Sequence, residues 1–164
     1  AQSVVGAGVR QTRPDLMDVR ASLAAPCSAA VLFAEVADLG TYPEWSDLVH
    51  RATPSGESAG DAVWDVELRA RVGPLARSKR LRMKRTVHDT SAMRVVFERS
   101  ELDGRRHSPW VLTATVSEHG AASRLDMTLH YGGALWTGGV LERVLADQIT
   151  SGRERLATRV RATR

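Results

Sequence analysis

Residues 64–72, WDVELRARV, decide the fold because apolar and charged side chains alternate along them. Trp64 and Val66 fall on one face of this segment, and Asp65 and Glu67 fall on the other. Alternation with a period of two residues is typical of a β-strand with one buried face. This segment therefore predicts a strand whose apolar face covers a core.

Several further segments show strand patterning, and turns containing glycine or proline separate most of them. The turns are short, which favours antiparallel pairing of consecutive strands. The predicted strands are residues 16–23, 49–53, 64–72, 77–88, 93–100, 105–117 and 124–131.

Helices are predicted in two places. Ser28 is a suitable N-cap for a short helix that ends at Val36, and a helical turn opens at Thr41 with Pro43 at an early position. A long helix closes the chain, with an apolar stripe at intervals of three and four residues. That stripe consists of Leu141, Leu145, Ile149, Gly152, Leu156 and Val160.

These elements predict an α+β architecture. A curved antiparallel sheet of six to seven strands wraps around the long C-terminal helix, and two short helices follow the first strand. One helix is too narrow to fill a curved sheet of that width. The pattern therefore favours a hollow between the sheet and the helix.

The composition fits one globular domain of 164 residues, 43% of them hydrophobic. We expect residues 1–14 to form a flexible arm and residues 15–164 to form a single domain. The apolar runs are too short to span a bilayer, so the chain is not expected to be transmembrane. Cys27 is the only cysteine, which excludes an internal disulfide and favours a cytoplasmic location.

The positive charge is concentrated in one predicted hairpin. Eight of the 23 basic residues lie between Arg69 and Arg85, with no Asp or Glu among them, so the rest has 15 basic against 19 acidic residues. Such a patch can attract an anionic surface, although a solvated outer face is the simpler interpretation. The nucleic-acid signal is weak because no aromatic residues are interleaved for base stacking. The outward residues of the patch are Arg69, Arg71, Arg80, Arg82 and Lys84.

One segment carries a family resemblance. Residues 33–49, FAEVADLGTYPEWSDLV, resemble a signature of the START-like (SRPBCC) superfamily, in its polyketide cyclase/dehydrase and lipid transport branch. Residues 72–83, VGPLARSKRLRM, and residues 124–131 followed by Trp136 and the final helix are similar to that branch as well. The resemblance implies a helix-grip fold with a deep, mainly apolar cavity between the sheet and the C-terminal helix.

The inward strand positions supply candidate ligand-binding residues for this cavity. Tryptophan and tyrosine combine a large apolar body with one hydrogen-bonding group, which suits a ring-bearing ligand with oxygens. The alternative is that the same residues simply pack a core. The candidates are Trp64, Leu68, Met83, Arg85, Phe97, Trp110, Leu112, Met127, Leu129, Tyr131 and Trp136.

Two of these candidates are weak candidates for catalysis. Arg85 falls on the inward face of its strand, together with Lys79, Leu81, Met83 and Val87, where an unpaired guanidinium is unfavourable. It can stabilise an oxyanion or bind a ligand carboxylate, or it can pair with Glu98 or Asp126. Tyr131 can donate a proton or a hydrogen bond at the cavity mouth, or it can be a core tyrosine.

No metal, cofactor or catalytic triad is predicted. The histidines are His50, His88, His107, His119 and His130, mostly at strand ends or outward positions, and none has metal-ligand spacing. Gly6-Ala7-Gly8 lacks the further glycine of a dinucleotide-binding loop.

Three functions remain open from the sequence. The leading hypothesis is a binding protein for a small hydrophobic, lipid- or polyketide-like ligand. The second is an enzyme, a cyclase or dehydratase acting on a poly-β-keto chain. The third is an interaction module that uses the basic hairpin on an anionic membrane or RNA. Exposed strand edges also leave a homodimer open.

Overall fold

The computed structural model describes residues 16–72, 74–132 and 140–162, with ten elements of secondary structure. The N-terminal arm and Trp136 lie outside the described residues, as do the side chains of Arg71, Leu141, Leu145 and Ile149. The elements are β1 (Leu16–Ala25), α1 (Ala29–Val36), a 3-10 helix (Leu39–Glu44), β2 (Val49–Ser58), β3 (Asp61–Val72), β4 (Leu75–Asp89), β5 (Arg94–Arg99), β6 (Trp110–His119), β7 (Ala122–Gly132) and α2 (Val140–Ala162).

The seven strands form one antiparallel sheet in the order β1-β7-β6-β5-β4-β3-β2. Helix α2 contacts both β1 and β3, which are the first and sixth strands of that order. In a flat sheet these strands would be roughly 24 Å apart, at about 4.8 Å per strand. A helix with its side chains is only about 10–12 Å wide. The sheet must therefore curve around α2, which confirms the helix-grip architecture predicted from the sequence.

The short helices form as their local sequence indicates. The Ser28 hydroxyl accepts a hydrogen bond from the Val31 amide at 3.3 Å and caps α1. The Asp38 carboxylate accepts from the Gly40 amide at 2.8 Å and caps the 3-10 helix. These caps define the N-terminal ends of α1 and of the 3-10 helix, and the 3-10 helix contacts β2.

Strand β2 is longer than the sequence predicts. We predicted a strand over residues 49–53 and a turn at Pro54, but β2 continues to Ser58. Proline is tolerated here because β2 is an edge strand, where a missing amide donor breaks no ladder. A register shift between Pro54 and Glu57, with Gly56 at φ +87°, absorbs the irregularity.

A β-bulge in β4 reverses the predicted orientation of its last residues. Arg85 pairs with Phe97 and Val87 pairs with Val96, so Thr86 is an extra residue. His88 consequently lies opposite Val95, and its ring stacks on Phe33 of α1 at 5.8 Å. The expectation that Val87 faces inward was wrong because alternation alone does not show an inserted residue.

Strand β6 begins at Trp110 rather than at residue 105. The Asp103 carboxylate accepts from the Arg105 amide at 3.0 Å and contacts His107 Nε2 at 2.8 Å. These contacts hold a turn in the loop, and Pro109 cannot donate to a strand ladder. The segment before Trp110 is therefore a loop beside the end of β5.

Basic side chains attach α2 to its neighbours. Arg159 contacts Glu35 at 2.8 Å and also pairs with Glu44, and Arg155 contacts Asp47 at 2.9 Å. These pairs join α2 to α1, to the 3-10 helix and to the turn that follows it. Within the described residues, no helix is long and apolar enough to cross a membrane.

Gly152 is the point of closest approach between α2 and the segment after the 3-10 helix. A Cβ atom at this position would lie 2.9 Å from the Trp45 carbonyl oxygen and 3.6 Å from Ser46 Cα. Both neighbours are backbone atoms, so neither can rotate away. The glycine in the apolar stripe of α2 is therefore explained by packing.

We expect Gly152→Ala to destabilise the fold by about 1–3 kcal/mol through overpacking, despite the better helix propensity of alanine. Urea unfolding would measure the free-energy change. Ser151→Ala, at the exposed neighbouring position, is the control and should be neutral or slightly stabilising. A neutral Gly152→Ala would show that α2 does not lie this close to Trp45.

Candidate ligand-binding cavity

An apolar cavity of about 110 Å³ lies between the sheet, the segment around the 3-10 helix, and α2. A cavity needs only roughly 10–15 Å³ to hold one water molecule, so this one has space for several heavy atoms. Its lining residues are Val19, Ala21, Ser22, Leu23, Leu39, Tyr42, Trp45, Ser46, Leu48, Val49, Val66, Leu68, Leu81, Met83, Trp110, Leu112, Leu125, Met127, Leu129, Gly152, Arg153 and Leu156.

Strand alternation builds most of the cavity wall. Leu112 lies opposite Leu129 across β6 and β7, and Val66 lies opposite Leu81 across β3 and β4. Leu156 of α2 and the side chains after the 3-10 helix cover the open side. The wall is almost wholly hydrocarbon, so it favours an apolar occupant.

Six of the predicted ligand-binding residues line this cavity. They come from the four strands β3, β4, β6 and β7, and each lies on the face that the alternation predicts. These six residues are Leu68, Met83, Trp110, Leu112, Met127 and Leu129.

Trp64 and Phe97 are not among the lining residues. Their rings meet edge to face at 5.6 Å, and both residues are buried. The Tyr42 ring meets the Phe97 ring edge to face, with the two centroids 6.2 Å apart. Trp64 and Phe97 are therefore part of a packed aromatic layer beside the cavity, and Tyr42 belongs to both this layer and the lining.

The Arg85 guanidinium already has a hydrogen-bond acceptor within the protein. Its Nη1 donates to the Ala37 carbonyl oxygen at 2.8 Å, at the C-terminal end of α1, and its guanidinium lies 5.5 Å from the Trp64 ring centroid. The carbonyl end of a helix carries partial negative charge, which favours a cation there. The bond accounts for the inward guanidinium without Glu98, Asp126 or a ligand, and Arg85 is not among the lining residues.

Tyr131 lies beside the cavity wall rather than in it. Its ring is tilted against Trp110 at 5.2 Å, and the residue is buried. Lys79 Nζ is also near Trp110, at 5.5 Å from the ring centroid. Trp110 is thus the cavity residue that connects both groups to the lining.

Sequence reasoning missed two parts of the lining. Strand β1 contributes Val19, Ala21 and Leu23, although its alternation was visible in the sequence. Tyr42 and Trp45, from the YPEW segment, were used only as a family signature, yet both line the cavity. The signal for them was the presence of two large aromatic residues in a short capped segment.

Two buried polar atoms of lining residues lack a hydrogen-bond partner among the described residues. They are the indole Nε1 atoms of Trp45 and Trp110, and both residues are at least 94% buried. The third aromatic donor is satisfied, because the Tyr42 hydroxyl donates to the Val36 carbonyl at 2.8 Å. Burial raises the pKa of Tyr42 well above its usual value, with a smaller contribution from Asp38, so its phenol stays neutral.

The described residues do not assemble a metal site or a carboxylate pair in the lining. No group of three or more His, Cys, Asp or Glu residues among them is arranged to hold a metal ion. The lining residues that can ionise are Tyr42 and Arg153, and Arg153 donates to the Ser22 carbonyl at 3.2 Å. The cavity therefore offers shape and hydrogen-bond donors rather than an acid–base pair.

The predicted anionic-binding patch is partly occupied by its own neighbours. Arg69 contacts Glu67 at 3.4 Å, and Lys84 contacts Asp61 at 3.5 Å. Arg82 donates to the Ser100 carbonyl at 2.8 Å. Partners within the protein thus occupy three of the five residues, and binding of an anionic surface stays a prediction.

The hydrogen bond from Arg85 to the Ala37 carbonyl predicts that Arg85 has a structural rather than a ligand-binding role. We expect Arg85→Met to destabilise the fold by about 1–3 kcal/mol while leaving the affinity for an apolar ligand within twofold of the original. Thermal unfolding and ligand titration would separate the two effects. Arg80→Met, at an exposed position of the same strand, should change stability by at most about 0.5 kcal/mol. Loss of binding in a stable Arg85→Met variant would contradict this assignment.

Comparison with known proteins agrees with this architecture. Residues 17–161 match the model of a family described as polyketide cyclase / dehydrase and lipid transport. No curated protein sequence matches the chain significantly.

Three solved structures illustrate the shared fold. The Zhui aromatase/cyclase from Streptomyces sp. R1128 is 13% identical, with 89% of this chain and 94% of that chain covered and a TM-score of 0.65. A protein from Thermus thermophilus is 19% identical, with 90% and 99% covered and a TM-score of 0.68. A START superfamily protein from Mycobacterium smegmatis is 13% identical, with 90% and 99% covered and a TM-score of 0.66.

At these identities the structural likeness shows the fold alone, whereas the family match spans nearly the whole chain. The chain therefore belongs to the polyketide cyclase/dehydrase and lipid transport family, and it has the helix-grip fold that the START superfamily protein also has.

Proposed function

We propose that this protein binds a small hydrophobic molecule, of lipid-like or polyketide-like character, in the cavity between its sheet and α2. The observation that carries this proposal is the almost wholly hydrocarbon lining of a cavity of about 110 Å³. Transfer of apolar surface from water into such a cavity is favourable by about 25 cal/mol per Å². The family match supports a ligand of this class.

The donors in the wall fit a ligand that also carries oxygen. A buried indole N–H without an acceptor costs about 1–3 kcal/mol, and a carbonyl or ether oxygen of a ligand would remove that cost. Trp45 and Trp110 supply two such donors, at positions on the 3-10 segment and on β6. A ligand with a mostly apolar body and a few oxygen acceptors is therefore favoured over a pure hydrocarbon.

Binding is favoured over catalysis by the ionisable groups of the wall. A cyclase or dehydratase must move protons, and general acid–base catalysis uses groups with a pKa near the working pH. The described lining residues offer Tyr42, whose hydroxyl is bonded and whose pKa is raised, and Arg153, whose guanidinium donates to the Ser22 carbonyl. The likeness to the Zhui aromatase/cyclase keeps the enzymatic alternative worth testing.

A cavity-filling substitution tests the proposed site. We expect Leu112→Trp to weaken binding of the neutral fluorescent probe N-phenyl-1-naphthylamine by about tenfold or more, because the larger side chain occupies ligand space. Probe fluorescence during titration measures the affinity. Thr113→Trp, on the opposite face of the same strand, is the matched control and should leave the affinity within twofold.

Two results would contradict the proposal. One is the absence of probe binding to the unmodified protein at micromolar concentration. The other is equal weakening by Leu112→Trp and Thr113→Trp, which would place the probe outside the cavity. Mass spectrometry of a poly-β-ketone incubated with and without the protein then separates the two functions. A binding protein adds no product to those of the protein-free sample, whereas a cyclase that also dehydrates its substrate increases a product lighter by one or more waters.

A further inference from the structure

Lys79 is an inward-facing cation that the proposed function does not yet use. It lies opposite Leu68 in the ladder between β3 and β4, two residues before Leu81 on the same strand face. Leu68 and Leu81 both line the cavity. Lys79 itself is not among the lining residues and lies next to one of them, Trp110. The half-buried Lys79 side chain is therefore on the ligand side of the sheet, at the end of the cavity next to Trp110.

The carboxylate near Lys79, that of Glu101, already accepts hydrogen bonds from other groups. Glu101 accepts from Arg99 Nε at 2.9 Å and from the Arg82 amide at 3.1 Å. Arg99 also donates to the Ser108 carbonyl and hydroxyl, both at 3.3 Å. Among the described residues, no hydrogen bond or ion pair is made by the Lys79 ammonium.

The surroundings disfavour an unpaired charge on Lys79. Burial lowers its pKa, and the positive charge of Arg99 lowers it further, against a smaller opposing effect of Glu101. Arg99 is itself largely buried, with a side-chain exposure of 10%. Two cations thus lie near one carboxylate at this end of the cavity, and an added anion would relieve the imbalance.

Trp110 supplies a second unused donor at the same place. The Lys79 ammonium lies 5.5 Å from the centroid of its ring, and its Nε1 is buried without a partner among the described residues. A carboxylate has two acceptor oxygens and can bind a cation and an N–H donor together. Both donors adjoin the hydrocarbon wall that Trp110 and Leu112 form.

We propose that Lys79 and the Trp110 indole N–H form a subsite for the carboxylate of an apolar acid whose hydrocarbon body fills the cavity. This inference rests on the proposed function and specifies its ligand class. It also gives the ligand an orientation in the cavity, with the carboxylate at the end bounded by β4 and β6 and the hydrocarbon extending towards α2.

A matched ligand pair tests the subsite. Isothermal titration calorimetry with 2-naphthoate and 2-naphthylmethanol compares a carboxylate with an alcohol on the same ring system. We expect the unmodified protein to bind 2-naphthoate about tenfold or more tightly than the alcohol. Lys79→Met should remove that preference and leave the affinity for the alcohol within twofold.

The second lysine of the chain, Lys84, provides the control for Lys79. Lys79 and Lys84 are the only lysines of the chain, and they lie on opposite faces of β4. Lys84→Met should leave the affinity for 2-naphthoate within twofold, because Lys84 pairs with Asp61 on the outer face. Trp110→Phe, which keeps the aromatic ring but removes the N–H, should weaken 2-naphthoate binding severalfold.

A labelling experiment tests the subsite in the unmodified protein, so its result does not depend on the folding of a variant. Acetylation of the unmodified protein, followed by peptide mass spectrometry, gives a separate rate for each lysine. Saturating 2-naphthoate should slow acetylation of Lys79 severalfold and leave that of Lys84 unchanged. Equal protection of both lysines would overturn the subsite.

The outcomes separate this inference from the proposed function. Binding of N-phenyl-1-naphthylamine together with equal affinities for the acid and the alcohol would overturn the carboxylate subsite and leave the cavity function standing. Failure of all three compounds to bind would overturn the function and the subsite with it. A preference for 2-naphthoate that survives Lys79→Met would place the carboxylate elsewhere.

Discussion

The contact of one helix with two distant strands is the constraint on which the rest of this structure depends. Helix α2 reaches both β1 and β3, so the intervening strands must bend around it. The close approach of Gly152 to the Trp45 carbonyl and the pairing of Arg159 with Glu35 hold the helix against the segments beside the sheet. The contact of α2 with both strands therefore explains the curvature of the sheet, its closure by the helix and the hollow between them.

Where a strand is regular, the sequence was sufficient to predict which side chains face the helix, because alternation is a local property. It predicted Leu112 and Leu129 as inward residues, and both line the cavity. It could not separate cavity-lining residues from packed ones. Trp64 and Phe97 satisfy the same alternation but lie in an aromatic layer, since their depth depends on how far the sheet bends and on where α1 and the 3-10 helix pack.

Irregularities in the strands were the second limit of prediction. The extra residue Thr86 leaves no mark in the hydrophobic pattern, yet it turns His88 towards Phe33. Pro54 looked like the end of a strand because its consequence depends on whether the strand lies at an edge of the sheet. Both features are decided by neighbours distant in sequence, which a single strand segment cannot reveal.

The two inward cations of β4 differ in whether the protein itself supplies a hydrogen-bond acceptor. Arg85 receives an acceptor from the protein, the Ala37 carbonyl at the end of α1, so its charge is compensated before any ligand arrives. Lys79 lies six residues earlier, where β5 has ended and the adjoining carboxylate of Glu101 is committed to Arg99. A half-buried ammonium next to another cation is retained at a cost in folding free energy. The anion that we propose at this site would recover that cost, and the apolar wall beside Trp110 favours an anion with a hydrocarbon body.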